Sequence, residues 1–498
     1  MELIKNTRQT ADKTAIIAGN RAYTYGELLD QSVRFAGCLL EGRPDLGEAR
    51  VAFMADPGFD YVRIQWGIWL AGGIAVPLCT THPLPALRYT LEDTGAEILV
   101  ASGAYADQLA PVIAERGLRR ISLEEEGQIP VSLPEIGPER RAMILYTSGT
   151  TNLPKGVVTT HGNLENQIAA LIDAWEWTER DRILCVLPLH HVHGIINVVS
   201  CALWAGACVE FLPAFSPEAV FEAFEAGRIN VFMAVPTIYF KLIAWWDVQS
   251  VQRQKNISAC LRNFRLMVSG SAALPVSVLE KWKKISGHTL LERYGMTEIG
   301  MAISNPYHGE RRPGFVGMPL PGVDIRLADE KDQPVGTDQP GEIQVKGGNV
   351  FLEYWHKPEA TRESFTADGW FRTGDVAVLE DGYYKILGRN SVDIIKSGGY
   401  KISALEIEEV LRQYPGVRDC AVTGLPDEEW GEVVAAAIVV VPGFDLDNLK
   451  DWLREQLPAY RLPRRFTLPD DLPRNAMGKV VKGEVKKLFR DILPGTKS

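Results

Sequence analysis

The chain has 498 residues, 46% hydrophobic and 23% charged, with a net charge of −10 at pH 7. That is ordinary globular composition, long enough for about two to four domains. Its acidic balance excludes a broad nucleic-acid surface, which needs clustered Lys and Arg. Seven scattered cysteines with no C-x-x-C pair fit free thiols in a reducing compartment. Residues 1–12 lack the apolar core of a secretory leader, and no run of about 18 apolar residues predicts a membrane span. Cytoplasm is the expected compartment.

Residues 1 to about 140 read as alternating helices and strands. Thr24, with Glu27 three residues on, is a capping pattern for a helix. Residues 51–54 and 74–78 are strand-like, and residues 61–71 between them read as a buried helix closed by Gly72 and Gly73. This rhythm predicts a parallel sheet covered by helices, with no chemistry of its own.

From 141 to about 305, apolar runs end in polar or special residues. Residues 142–146 are a short buried strand that opens into Thr147-Ser148-Gly149-Thr150-Thr151-Asn152-Leu153-Pro154-Lys155-Gly156. Residues 183–187 lead to His190, His191 and His193, and 231–235 lead to Pro236-Thr237. Residues 266–268 lead to Ser269-Gly270-Ser271, and 289–291 to Glu292-Arg293-Tyr294-Gly295. Ligands of α/β sheets gather at the carboxyl ends of strands, so these segments are expected to meet in one cleft. Residues 217–226 and 275–285 read as helices stopped by Gly227 and near Gly287.

Residues 310–388 turn rich in Gly, Pro and strand signals, with a tight hairpin at Asp381-Gly382, and predict a small β-rich subdomain. The chain is expected to cross to another domain near residues 389–393. Ser403 with Glu406 is a capping box for a helix through Leu411. Strands at 420–422 and 433–441 and a helix at 447–457 complete an α+β unit. The overall expectation is an α/β protein: a large N-terminal region, 1–388, and a small C-terminal domain, 389–498.

The loop from Thr147 to Lys155 is where chemistry is legible. Its hydroxyls, glycines and lysine can offer donors and a cation to one polyphosphate. It is not a Walker A loop, because Lys155 precedes its glycine and no G-x-x-x-x-G-K-[ST] occurs. Four further segments follow in order: Tyr294-Gly295-Met296-Thr297-Glu298, Arg372-Thr373-Gly374-Asp375, Gly388-Arg389 through Lys401, and Pro473-Arg474-Asn475-Ala476-Met477-Gly478-Lys479.

Together these resemble the adenylate-forming superfamily of acyl-CoA synthetases, luciferases and peptide-synthetase adenylation domains, over residues 146 to 482. The resemblance implies an enzyme that uses ATP, Mg²⁺ and coenzyme A. It implies that Thr147, Ser148, Gly149, Thr150, Thr151 and Lys155 hold the β and γ phosphates. Thr297 and Glu298 would sit at the α-phosphate, with Glu298 the Mg²⁺ ligand. Gly270, Ser271, Ala272 and Tyr294 would flank the adenine, and Asp375 and Arg389 would meet the ribose. Lys479 would bridge carboxylate and α-phosphate. The small domain would then rotate about a hinge at 389–393 and bring Ser397, Gly398, Gly399, Tyr400 and Lys401 to the pantetheine channel.

Within the superfamily, residues 268–275, 291–298, 311–324 and 391–403 look most like malonyl-CoA synthetases. A second, desolvated carboxylate needs a cation, preferably a forked arginine. Arg293 is the first candidate and Lys241 the second, with His191 and His193 lining the acyl pocket. The His pair alone is a poor metal site, since no third ligand is apparent. Malonate is therefore the expected acid, with methylmalonate open. A ligase for a monocarboxylic acid and a protein that loads a carrier thiol are the alternatives. A monomer or weak dimer is expected.

Overall fold

The computed structural model describes residues 2–5, 10–125, 127–147, 153–398, 400–474 and 479–489. Two large sheets carry the N-terminal region. One has seven strands in the order Glu353–Tyr354, Lys155–Thr160, Arg141–Thr147, Ile74–Pro77, Arg50–Phe53, Ile98–Val100 and Arg119–Ile121. The other has nine strands, and its centre runs Gly300–Ser304, Leu291–Met296, Leu266–Ser269, Val231–Ala234, Arg182–Cys185 and Cys208–Phe211.

The first helix after the opening strands, Tyr25–Leu40, has the full capping box expected at Thr24 and Glu27. Its Phe35 packs with Trp66 and Trp69 of the buried helix Phe59–Leu70 in the main core. Trp69 also donates to the Ala142 carbonyl at 2.8 Å, which fixes that helix on the strand leading to the polar loop. Strands Arg50–Phe53 and Ile74–Pro77 are parallel, as the β-α-β rhythm requires.

The pairing turns antiparallel at the polar loop. Arg141–Thr147 pairs antiparallel with Lys155–Thr160, with Thr147 opposite Lys155. The connection, residues 148–154, is far shorter than the dozen or so residues a parallel crossover needs. Thr147 and Lys155 therefore stand at the two feet of a hairpin loop. Ser148, Gly149, Thr150 and Thr151 lie outside the described residues.

The β-rich stretch is a four-stranded antiparallel sheet of Val323–Ala328, Gly341–Gly347, Phe371–Glu380 and Tyr383–Arg389. Asp381 (φ 49°) and Gly382 (φ 82°) make its two-residue turn, both left-handed as a twist-matched hairpin demands. The chain leaves this sheet at Arg389 and enters the last one at Ile394. That last sheet pairs Val417–Asp427 with Gly431–Val440 and packs under helices Ala404–Gln413 and Leu446–Gln456. The capping box at Ser403 is only half formed. Ser403 accepts from the Glu406 N–H, but the Glu406 carboxylate goes to Lys385 and Arg461, each at 3.0 Å. Two cations outcompete one backbone donor.

Candidate active site

Strands Arg182–Cys185, Val231–Ala234, Leu266–Ser269 and Leu291–Met296 run parallel as neighbours, so their carboxyl ends share one edge. His193 opens a π-helix, His193–Ser200, after the first of these. Such helices are rare and recur at functional sites. Its Nδ1 lies 3.1 Å from the Ser271 hydroxyl. Ser271, just past the third strand, sits at φ 70°, a left-handed conformation that strains a serine by about 1–3 kcal/mol. It also accepts from the Arg293 guanidinium at 3.4 Å. Three segments separated by up to 100 residues thus meet at one hydroxyl.

The strand expected at 289–291 runs instead over Leu291–Met296, which puts Glu292, Arg293 and Tyr294 inside it. Side chains alternate along a strand, so Glu292 and Arg293 face opposite ways. Their pairing is thereby excluded. Arg293 is 3% exposed, and no carboxylate forms an ion pair with it among the described residues. Its Nε is buried without a hydrogen-bond partner among the described residues. Gly270 lies against it: a Cβ there would stand 2.5 Å from the guanidinium carbon. Burial pushes the Arg293 guanidinium down to about 9. A buried cation with an unpartnered donor and no carboxylate beside it is costly unless an anion visits it.

The two histidines beside it are neutral. His191 and His193 are held unprotonated, His191 at about 2, first by burial and then by neighbouring positive groups. The Nε2 atom of each is buried and unpartnered among the described residues. Lys241 is not part of this group. It is exposed on helix Pro236–Asp247, with its ammonium over the Phe215 ring at 5.8 Å. The helix buries Pro236, Tyr239, Leu242 and Ile243, and position 241 falls on its outer face.

Glu292, on the far face, accepts from the Leu274 N–H at 3.2 Å. Burial, then repulsion by Glu409, pushes its carboxyl up to about 8 against the pull of that bond. A carboxyl raised in this way keeps its proton in the folded state. Its contribution to stability is complete below its unfolded value near 4.5 and is lost as pH rises through about 8. Glu292→Gln, which keeps the acceptor, is expected to flatten the fall in Tm between about pH 5 and 8 relative to the parent chain. An unaltered slope in thermal melts would mean Glu292 is already ionised.

A second group lies at the end of the same strand. Tyr294 donates to Asp375 at 2.6 Å, and Arg389 donates to the other Asp375 oxygen at 3.1 Å. Asp375 and Arg389 face each other across the hairpin. A carboxylate has about four lone-pair sites, so Asp375 still has room for two hydroxyl donors. Glu298 is buried in the turn between Leu291–Met296 and Gly300–Ser304 and accepts from the Tyr354 hydroxyl at 2.9 Å. Burial raises its carboxyl, opposed by that bond and by Arg389 and Lys155. Lys155 itself stands over the Tyr354 ring at 4.7 Å. Thr297 precedes Glu298 in this turn, and Ala272 follows Ser271, exposed. No group of three or more His, Cys, Asp or Glu among the described residues could cage a metal. One buried carboxylate beside a lysine suits a magnesium ion that takes its other ligands from phosphate and water.

Lys479, from the small C-terminal domain, reaches into this cleft. It keeps solvent on one side, yet surrounding protein pushes its ammonium down to about 8. Arg389 and Arg293 repel it and Asp375 attracts it. The loop named for coenzyme A is elsewhere. Ser397 pairs with Tyr400 at a hairpin tip of the same domain, where Tyr400 is exposed and stacks on Tyr460 at 4.4 Å. Gly398 turns there at φ 56°; Gly399 and the Lys401 side chain lie outside the described residues.

Two features carried no sequence signal. Tyr354 reaches Glu298 only because its short strand pairs with Val157. Cys79 and His82, in a stretch expected to hold no chemistry, cluster with His190: the His82 and His190 rings are 6.0 Å apart, and His190 is 4.0 Å from His191. They approach because parallel strands of both large sheets end at this edge.

Comparison with known proteins identifies the family and the fold. The model of the AMP-binding enzyme family matches residues 3–355, and that of the AMP-binding enzyme C-terminal domain matches 406–479. The chain is similar to the human mitochondrial malonate–CoA ligase ACSF3, with 45% identity over 97% of this chain and 90% of that protein. Its fold superposes on ATP-bound MatB from Rhodopseudomonas palustris with a TM-score of 0.90 at 34% identity, covering 99% of each chain. It also superposes on o-succinylbenzoate coenzyme A synthetase from Bacillus subtilis with ATP and magnesium, with a TM-score of 0.85 at 27% identity, covering 97% of this chain and 99% of that one.

Proposed function

The chain belongs to the AMP-binding enzyme family, and from that premise we propose that it ligates malonate to coenzyme A, consuming ATP and releasing AMP and pyrophosphate. The observation that carries the choice of acid is Arg293, buried and without a carboxylate partner among the described residues. A monocarboxylic acid offers it nothing. Malonate offers a second carboxylate, and the neutral His191 and His193 leave that charge to Arg293.

In the first step a malonate oxygen attacks the α-phosphorus and pyrophosphate leaves. The two reactants are both anions, so positioning and charge stabilisation are the whole task. We assign Lys479 to bridge the reacting carboxylate and α-phosphate. Thr147, Ser148, Gly149, Thr150, Thr151 and Lys155 hold the β and γ phosphates. Gly270, Ser271, Ala272 and Tyr294 flank the adenine, and Asp375 receives the ribose hydroxyls beside Arg389. Glu298, next to Thr297, would hold Mg²⁺, which offsets the charge of the phosphates when bound. In the second step the thiol of coenzyme A attacks the acyl carbon, AMP leaves, and the thiol proton passes to solvent. We assign the hairpin of Ser397, Gly398, Gly399, Tyr400 and Lys401 to that step, after rotation about 389–393. The domain boundary belongs at 388/389.

No described helix is long and apolar enough to cross a membrane. We keep the cytoplasm as the compartment, with a monomer or weak dimer as the assembly. The word mitochondrial in the human relative's name favours the mitochondrion as the second reading. Cell fractionation decides between them.

The function is tested by coenzyme A consumption with ATP and Mg²⁺ across malonate, methylmalonate, acetate, butyrate, octanoate and benzoate. Malonate is expected to give the highest kcat/KM. A preference for any monocarboxylic acid would overturn the choice of acid, and turnover only with a carrier-protein thiol would overturn the choice of acceptor.

A further inference from the structure

Helix Val276–Ser286 starts just beyond the loop that carries Ser271, and it starts uncapped. Its N-cap is Pro275, which has no side-chain acceptor for the helix's first N–H groups. Glu409 meets that need from the other domain. It sits on helix Ala404–Gln413, and its carboxylate accepts from the Val276 N–H at 3.1 Å and also from Ser277. Burial raises the Glu409 carboxyl, while Arg412, the two backbone bonds and the helix dipole favour its charged form. Arg412 stands behind it at 3.7 Å. On the other side Glu292 holds the Leu274 N–H. The short segment from Leu274 to Ser277 is therefore tied at both ends, once within its own domain and once across the domain interface. The same orientation of the C-terminal domain puts Lys479 beside Arg389 and Arg293.

We infer that Glu409 is an interdomain latch: by capping helix Val276–Ser286 it holds the C-terminal domain in the orientation that presents Lys479 for adenylation, and its release frees the domain for the thiol step. Glu409 touches neither substrate nor reacting atoms and is a positioning residue. The inference rests on the two-step reading above.

Three variants test it. Glu409→Ala removes the acceptor, Glu409→Gln keeps an uncharged one, and Val276→Pro removes the main donor. Proline is tolerated at the first position of a helix, and Pro275 already has the extended ψ of 133° that a residue before proline adopts. Adenylation is read by hydroxylamine trapping with malonate and ATP, and thioester formation is read from supplied malonyl-adenylate. Domain orientation is read independently from energy transfer between dyes at the exposed Val248 and Leu468. Glu409→Ala is expected to slow adenylation about tenfold, the worth of one charged hydrogen bond, with thioester formation held within about twofold. Its dye distances should shift away from the parent's, Val276→Pro should shift them the same way, and Glu409→Gln should recover most of the loss. Unchanged distances in Glu409→Ala, or an equal fall in both steps, would overturn the latch. A parent enzyme that traps no hydroxamate would overturn the proposed function instead, and the dye measurement would still decide the latch.

Discussion

Arg293→Leu is expected to lower kcat/KM for malonate by about 30-fold to several-thousand-fold, the equivalent of about 2–5 kcal/mol for one partner of a desolvated charge pair. The same variant should hold or improve its rate with butyrate, which has no second carboxylate. The reason lies in the surroundings of Arg293. Arg293 is 3% exposed, and among the described residues its Nε is unpartnered and its one side-chain bond, to Ser271, is 3.4 Å long. A structural arginine would be tied into carboxylates, as Arg372 is to Asp332 and Arg265 is to Asp181. Removing a structural arginine lowers Tm. Removing an unpaired buried cation relieves a desolvation cost, so the ligand-free Tm of Arg293→Leu should not fall. Malonate should raise the parent's Tm and not the variant's. Equal losses with malonate and butyrate, together with a lowered Tm, would return Arg293 to a structural role.

Lys479→Ala should cut adenylation by about 100- to 1,000-fold, the usual effect of losing one preorganised donor at developing charge. Thioester formation from supplied malonyl-adenylate should survive, because that step uses a different orientation of the small domain. The lysine also sets a pH limb. Its ammonium is pushed down to about 8, first by burial and then by Arg389 and Arg293, and it works only while protonated. In the parent enzyme kcat/KM for adenylation should therefore fall as pH rises through about 8. Lys479→Ala should lose that limb. If both half-reactions fall equally, the assignment of Lys479 to the first step alone is wrong.

Local signals in the sequence are read locally, and those proved legible. The Thr24–Glu27 capping box, the Asp381-Gly382 turn and the buried helix over Phe59–Leu70 need only neighbours in the chain to be specified. The meeting of His193, Ser271 and Arg293 was legible too, because parallel strands must end at one edge. What needed the fold was register. A strand that starts at Leu291 instead of ending there decides that Arg293 and Glu292 part company. The outward turn of Lys241 depends on which face of Pro236–Asp247 meets the core, and its sequence is apolar nearly all round. Pairing partners such as Tyr354 for Glu298, and Glu409 for Val276, are separated by 56 and 133 residues and leave no local trace. The sequence pattern carried the polyphosphate loop by composition alone, and most of its donors fall outside the described residues.

The most direct test of the central claim is a crystal structure of the enzyme with malonate and a non-hydrolysable ATP analogue. One malonate carboxylate is expected within hydrogen-bond distance of the Arg293 guanidinium, while the other faces the α-phosphate and Lys479. A malonate whose second carboxylate lies elsewhere, with Arg293 still bonded only to Ser271, would contradict the account.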